Sequence, residues 1–258
     1  MRLPYQDVRE LPIPTGRFTP NIAVTCTHVR LTQPLSQGEG RIEGAFIFRM
    51  RYTLVIFDLD GTLADSFPWF IGSLNTVADA FRLRRVGEDE IEPLRRADVP
   101  EILKHLGVPR WKLPMIARYM RKLKSTELHT ISLFPGVEDM LRTLKAGGVT
   151  LTLVSSDNEE NAKVVLGPDN AALFSQYNCS AALFGKAGKF RRVMRRAGVE
   201  PHRVLAIGDE ARDLNAARAA GIDFAAVTWG YTAPEKLRTF NPDIVFERIE
   251  DIGAKLLP

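Results

Sequence analysis

Three short apolar runs in this chain break off the same way. "YTLVIF" ends in Asp58-Leu59-Asp60-Gly61-Thr62, "VTLTLV" in Ser155-Ser156, and "VLAIG" in Asp209. Runs of five or six such residues are too short for independent helices and read as strands buried in a core. Between and after them lie helical patterns: "PGVEDMLRTLKAGG", closed by glycine, then "NEENAKVVLG", "GKFRRVMRRAG" and "ARDLNAARAAG". "YNCSAALF", "DFAAVTW" and "DIVF" complete the strands. Strands alternating with helices predict a parallel sheet with right-handed crossovers. Such sheets bind ligands at the carboxyl ends of their strands, which is where the polar residues fall.

The first of these ends is the most telling. Two aspartates one residue apart gain nothing from burial and repel each other, so a site that needs both is the economical explanation. An aspartate at a strand end can attack phosphorus or carbon and form a covalent intermediate. A second one two residues on can protonate a leaving oxygen and then deprotonate water. Gly61 permits the sharp turn and Thr62 can donate to a bound group. A lone Asp-Gly is commonly an Asx turn capping a helix; the full string "DLDGT" after an apolar strand points to a site instead.

The other ends are weaker singly. Ser155 can donate to a phosphate oxygen, while Ser156 or Asp157 reads as the cap of the next helix. Lys186 opens a helix, where the dipole prefers anions. The misfit is explained if its ammonium faces carboxylates and a phosphate; Lys189 is the fallback. Asp209 and Asp213 offer oxygen ligands of the kind magnesium takes, Asp213 one helical turn on.

Two regions stand outside this alternation. Residues 1–49 are rich in Pro, Gly, Thr and Gln without a sustained period, and Met50 directly precedes the first strand. They read as a disordered leader or a wrongly assigned start with Met50 as the true one; an irregular arm packed on the body is the alternative. Residues 66–133 read as helical throughout. Phe67, Phe70, Leu74, Val77 and Phe81 form one stripe and Met115, Ile116, Tyr119, Met120 and Leu123 another, with a short charged helix starting near Pro93 between them. This stretch holds 12 Lys/Arg against 8 Asp/Glu, and a basic lid suits an anionic substrate. Arg95 and Arg96 are the residues expected to reach that substrate. Phe67, Trp69 and Phe70 could form an apolar wall beside it.

Taken together, these clusters resemble the haloacid dehalogenase superfamily, and within it the phosphoglycolate-phosphatase-like hydrolases. The resemblance covers residues 50–258. "DLDGT" carries it most specifically, and "GDEARDLNAARAAGI" is similar to the family's GDxxxD motif with its small-residue helix; Ser155 and Lys186 fall in the family's order. It implies an α/β, Rossmann-like doubly wound parallel sheet core over 50–65 and 134–258, with a small all-helical cap over 66–133. It implies that Asp58 is the nucleophile, Asp60 the general acid/base and Lys186 the neutralising cation. Thr62, Ser155, Ser156 and Arg95 would bind substrate. Asp58, Asp209 and Asp213 would hold Mg²⁺, with Asp60 contributing its backbone carbonyl.

Charge supports that allotment. Three acids around a dianionic phosphate repel it unless a divalent cation and an ammonium stand among them. The expected activity is a magnesium-dependent phosphatase acting on a small phosphorylated metabolite, phosphoglycolate being the family-level choice. A sugar phosphomutase of the same fold needs the same clusters, and product analysis separates the two. A dehalogenase has no use for an acid at position 60. A phospho-accepting receiver would carry its aspartate on a central later strand, where "VTLTLVSS" has none. A silent phosphate-binding protein would be expected to lack one of Asp58, Asp60 and Asp209. The net charge of +4, with no basic run interleaved with aromatics, argues against nucleic acid. No apolar run approaches a membrane span, no basic-then-apolar signal segment opens the chain, and two cysteines make no disulfide framework. A reducing cytoplasm is the expected compartment.

Overall fold

The computed structural model describes residues 50–97, 99–179 and 185–258. The reading of residues 1–49 as a leader lies outside them. In chain order the first elements are β1 (Leu54–Phe57), β2 (Ala64–Asp65), α1 (Phe67–Phe81), α2 (Ile91–Arg95), α3 (Val99–His105), α4 (Leu113–Thr126) and β3 (Ser132–Leu133). Then come α5 (Val137–Ala146), β4 (Thr150–Leu153), α6 (Glu159–Ala171), β5 (Phe174–Tyr177), α7 (Lys186–Ala197) and β6 (Val204–Gly208). The last are α8 (Ala211–Ala220), β7 (Asp223–Val227), α9 (Pro234–Thr239), β8 (Ile244–Phe246) and α10 (Glu250–Leu256).

Six strands form one sheet in the order β5-β4-β1-β6-β7-β8, with every neighbouring pair parallel. All four residues of β1 are buried because both faces of the sheet are covered. Successive side chains point to opposite faces, so Val55 and Phe57 join Leu141 and Leu144 of α5, Leu166 of α6 and Ile252 of α10. Leu54 and Ile56 join Phe190 and Val193 of α7 and Leu214 and Ala217 of α8. Burying a side chain of this size contributes about 1.5–3 kcal/mol, so the apolar runs specify the middle of the sheet directly.

The order reverses at β1: the chain goes outward through β4 and β5, then returns to the other side of β1 for β6. In register, Phe57 sits opposite both Leu153 and Ile207. Asp58, Val154 and Gly208 therefore stand at one level, and the acids and hydroxyls at and just beyond it share one end.

β2 and β3 pair antiparallel, a two-residue ribbon through which the chain leaves for the helical stretch and returns. The sequence reading had no strand there, since two residues are too few to leave a periodic signal. Met115 was expected in the inward stripe of α4 but is exposed. β5 lies earlier than "YNCSAALF", and residues 180–184 of that run are outside the described ones. The α6 cap is neither Ser156 nor Asp157: the Asn158 side chain accepts from the Asn161 N–H at 2.7 Å. Helices α9 and α10 carried no expectation; each is only six or seven residues long.

Candidate active site

The turn after β1 is built by its own backbone. The Leu59 carbonyl accepts from the N–H groups of Thr62, Leu63 and Ala64 at 2.9–3.2 Å, and Gly61 turns the chain at φ 73°. A Cβ at Gly61 would collide with the Asp209 carboxylate, and one at Gly230 would collide with it from another side. Glycine at both positions lets two loops close on Asp209.

Asp58 lies at the centre. Its Oδ1 accepts from the Leu59 N–H at 2.9 Å and its Oδ2 from Lys186 Nζ at 2.6 Å. The same ammonium pairs with Asp213. Carboxylate oxygens of Asp58, Asp209 and Asp213, all buried, lie within 4.8 Å of one another. Asp209 Oδ1 accepts from the Thr62 hydroxyl at 3.0 Å and its Oδ2 from the Tyr231 N–H at 2.7 Å.

The electrostatics follow from this crowding. Burial alone would raise the Asp58 pKa, but Lys186 and Arg212 nearby hold it below the ordinary carboxylate value. Asp209 is driven far the other way by burial and by Glu210, Asp58 and Asp213. Asp213 is pushed up to about 7, by burial first and then by Asp58 and Glu210 against the pull of Lys186 and Arg212. Lys186 itself stays protonated, its burial outweighed by Asp213 and Asp58. Asp213 Oδ2 is buried without a hydrogen-bond donor among the described residues. Three converging carboxylates, two of them raised chiefly by burial and one with an unsatisfied oxygen, fit a hard divalent cation.

The structure separates the remaining expected residues into three groups. Thr62 spends its hydroxyl on Asp209. Ser155 is fully buried; its Oγ accepts from the Asp157 N–H at 3.0 Å and its carbonyl accepts from Lys189 Nζ at 2.9 Å. Ser156 beside it is half-buried. Of the two candidate lysines, Lys186 is the one on Asp58. Lys189 is lowered to about 8, by burial and then by the Lys186 charge.

Asp60, the expected general acid/base, is met by a cation from the helical stretch. Its Oδ1 accepts from Lys124 Nζ, 2.6 Å away. That side chain comes from the last turn of α4, and the sequence reading had it only among the basic residues of the helical stretch. One signal could have found it: Ile116, Met120 and Lys124 follow at intervals of four, so the lysine continues an inward row.

Arg95 does reach from the helical stretch to the sheet end, but to backbone. Its guanidinium donates to the Gly230 and Tyr231 carbonyls at 2.9 and 3.0 Å, pairs with Glu92 and stacks on Phe67. Arg96 is exposed. Phe67 and Phe70 pack on Tyr231 with ring centroids 5.2 Å away in each case, and Trp69 donates to Glu127 at 2.6 Å. A cavity of about 150 Å³ opens here, lined by Phe67, Phe70, Leu94, Arg95, Arg212 and Tyr231 among others.

The family model for haloacid dehalogenase-like hydrolases matches residues 55–227, spanning the turn after β1, the helical stretch and the ends of β4 and β6. The chain belongs to the haloacid dehalogenase-like hydrolase family, as a phosphatase of the phosphoglycolate-phosphatase-like kind. It is similar to the phosphoglycolate phosphatase of Synechococcus elongatus, at 30% identity over 77% of this chain and 94% of that one. It is similar also to phosphoglycolate phosphatase 1 of Pseudomonas aeruginosa, at 27% over 77% and 78%. Among solved structures, a haloacid dehalogenase-like family hydrolase from Streptococcus pneumoniae shares the fold at a TM-score of 0.67 and 20% identity, over 80% of this chain and 98% of that one. CbbY from Rhodobacter sphaeroides, solved in complex with phosphate, does so at 0.62 and 20%, over 80% and 99%. No helix among the described residues is long and apolar enough to cross a membrane.

Proposed function

We propose that this phosphatase is magnesium-dependent and hydrolyses a small phosphorylated metabolite through a phosphoaspartate on Asp58. Phosphoglycolate is the first substrate to try, on the strength of the relatives' names. The observation that supports the mechanism most is the Lys186 ammonium 2.6 Å from Asp58 inside a cluster of acids. It keeps the attacking carboxylate ionised and reduces its repulsion toward a phosphate dianion.

In the first half-reaction an Asp58 oxygen attacks phosphorus, the ester P–O bond breaks, and Asp60 gives its proton to the leaving oxygen. In the second, water attacks the phosphoaspartate and Asp60 takes the water proton. The P–O bond to Asp58 breaks, freeing phosphate and the carboxylate. Thr62, Ser155, Ser156 and Arg95 would serve the substrate side, Thr62 by fixing Asp209 and Arg95 by fixing the Gly230–Tyr231 backbone. Asp58, Asp209 and Asp213 would hold Mg²⁺, with the Asp60 carbonyl as a further ligand; bound there, the ion would neutralise charge on the phosphoryl oxygens. Residues 66–133 act as the cap on a core of 50–65 and 134–258, and the cytoplasm is the compartment this chemistry fits.

A screen of phosphate esters for released phosphate, run with and without Mg²⁺, tests the proposal, with Asp58→Asn as control. The substitution should remove activity by roughly 10⁴-fold or more, as loss of a covalent nucleophile does. Activity that survives it would sink the mechanism.

A further inference from the structure

Lys124 is the one buried charged side chain among the described residues of 66–133. Neighbouring basic residues of α4, Arg118 and Lys122, are exposed. A lysine is buried only where partners compensate its lost hydration. Lys124 has two, and both belong to the sheet end. Its Nζ lies 2.6 Å from Asp60 Oδ1 and 2.7 Å from Asp157 Oδ2, with Asp157 in the loop that follows β4. Asp157 is itself fixed, accepting from the Asn158 N–H at 2.8 Å and from the Asn161 side chain at 3.0 Å. Burial works against the ammonium, but the two carboxylates outweigh it and keep it protonated. Asp60 is partly open, its side chain 21% exposed, whereas Asp157 and Lys124 are at 2% and 5%. The ammonium is therefore anchored on its Asp157 side, and the carboxylate it holds toward the cleft is that of Asp60.

We infer that Lys124 is a positioning residue of the second half-reaction, holding the Asp60 carboxylate where it takes the proton of the attacking water. This inference rests on the function proposed above. A carboxylate on a turn, without that anchor, samples other rotamers, and the 2.6 Å contact fixes one of them. Lys124 is carried by the helical stretch while Asp60 and Asp157 sit on the sheet, so the same contact makes proton acceptance depend on α4 being docked.

The half-reactions can be read apart with p-nitrophenyl phosphate. Its leaving oxygen departs without help from an acid, so phosphorylation of Asp58 should survive loss of Lys124 while hydrolysis of the phosphoaspartate slows. In Lys124→Met, with Mg²⁺, rapid mixing should show a burst of nearly one nitrophenol per enzyme. Steady-state turnover should then lie about 10- to 100-fold below wild type, the scale of a misplaced catalytic group. Lys124→Arg, which keeps the charge, should bring kcat back to within about tenfold of wild type. If Lys124→Met does not fold, Lys124→Met/Asp157→Asn removes one charge of each sign and should show the same burst. A purely structural lysine would instead shrink burst and turnover together, in proportion to the folded fraction. That result, or wild-type turnover in Lys124→Met, overturns the inference. Asp58→Asn separates the two levels: turnover that persists there removes the phosphoaspartate reading itself, whatever Lys124 does.

Discussion

The sheet end and the helical stretch meet in one cleft but are built by different rules. In β1, β4 and β6 nearly every residue is buried, and the acids that follow are held by several contacts each. In the helical stretch, α2 buries none of its residues, α1 buries Ser73, Val77 and Ala78, and α4 buries Lys124 alone. The nucleophile and metal site proposed above demand geometry fixed to a fraction of an ångström, which a core covered on both faces supplies. A cover, the role proposed for the helical stretch, needs little more than an amphipathic face and a few directed contacts, and thinly buried elements open at low free-energy cost. Here the directed contacts are the Lys124 pairs, Arg95 on the Gly230–Tyr231 backbone and Trp69 on Glu127.

Substitutions on the two sides should differ accordingly. The largest effect is expected at Lys186. Lys186→Met leaves Asp58 and Asp213 buried without their shared cation, which should lower kcat by roughly 10²–10³-fold, the scale of losing one charge-stabilising donor. Steady-state kinetics at saturating Mg²⁺ checks this; a loss under tenfold would make the Lys186 contacts no more demanding than those of the helical stretch.

A smaller effect is expected from pH on the metal-free protein. Asp213, moved from 3.8 to about 7 by burial, keeps a proton in the folded chain that it loses on unfolding. Asp209 is shifted in the same direction. Their contribution is complete below pH 4 and is lost as pH rises through about 7. Asp58, shifted the other way, gives up its part only in acid, below its unfolded value of 3.8. In EDTA the melting temperature should therefore fall between pH 4 and 7.5, by the equivalent of a few kcal/mol. With Mg²⁺ the fall should flatten, since ligation favours the ionised acids. Equal slopes with and without Mg²⁺ would mean that the acid cluster is not the metal site.

The smallest effect is expected at Arg95. Arg95→Ala removes two hydrogen bonds to carbonyls and the stack on Phe67 but touches no acid of the site. It should raise KM by about three- to tenfold and leave kcat nearly unchanged, as expected for uniform binding. A kcat loss as large as that of Lys186→Met would erase the contrast.

The same contrast governs how much could be read without a structure. The parallel sheet was legible because a strand buried on both faces needs an unbroken apolar run, and the acids stand out where such runs stop. Asp58 and Asp209 were legible for that reason, Asp213 from its place one helical turn on and Lys186, with Lys189 as fallback, from its place at a helix start; the structure brings Asp58, Lys186, Asp209 and Asp213 together. β5 was displaced because "FSQY" is not an apolar run, and α9 and α10 were missed because helices that short carry little periodicity. Met115 and Lys124 exchange the burial their chemistry would predict: the methionine is exposed and the lysine buried.

What the chain alone determined is therefore local: which segments are strands, which residues end them, and that a glycine turn follows the first. Each is set by neighbours a few residues apart. What tertiary structure decided is pairing at long range. Lys124 meets Asp60 across 64 residues, Arg95 meets Gly230 across 135, and Thr62 meets Asp209 across 147. Charge and hydrogen-bonding capacity are written in the residue, but the partner that satisfies them is selected only when the helical stretch docks on the sheet end and excludes the water that would otherwise serve.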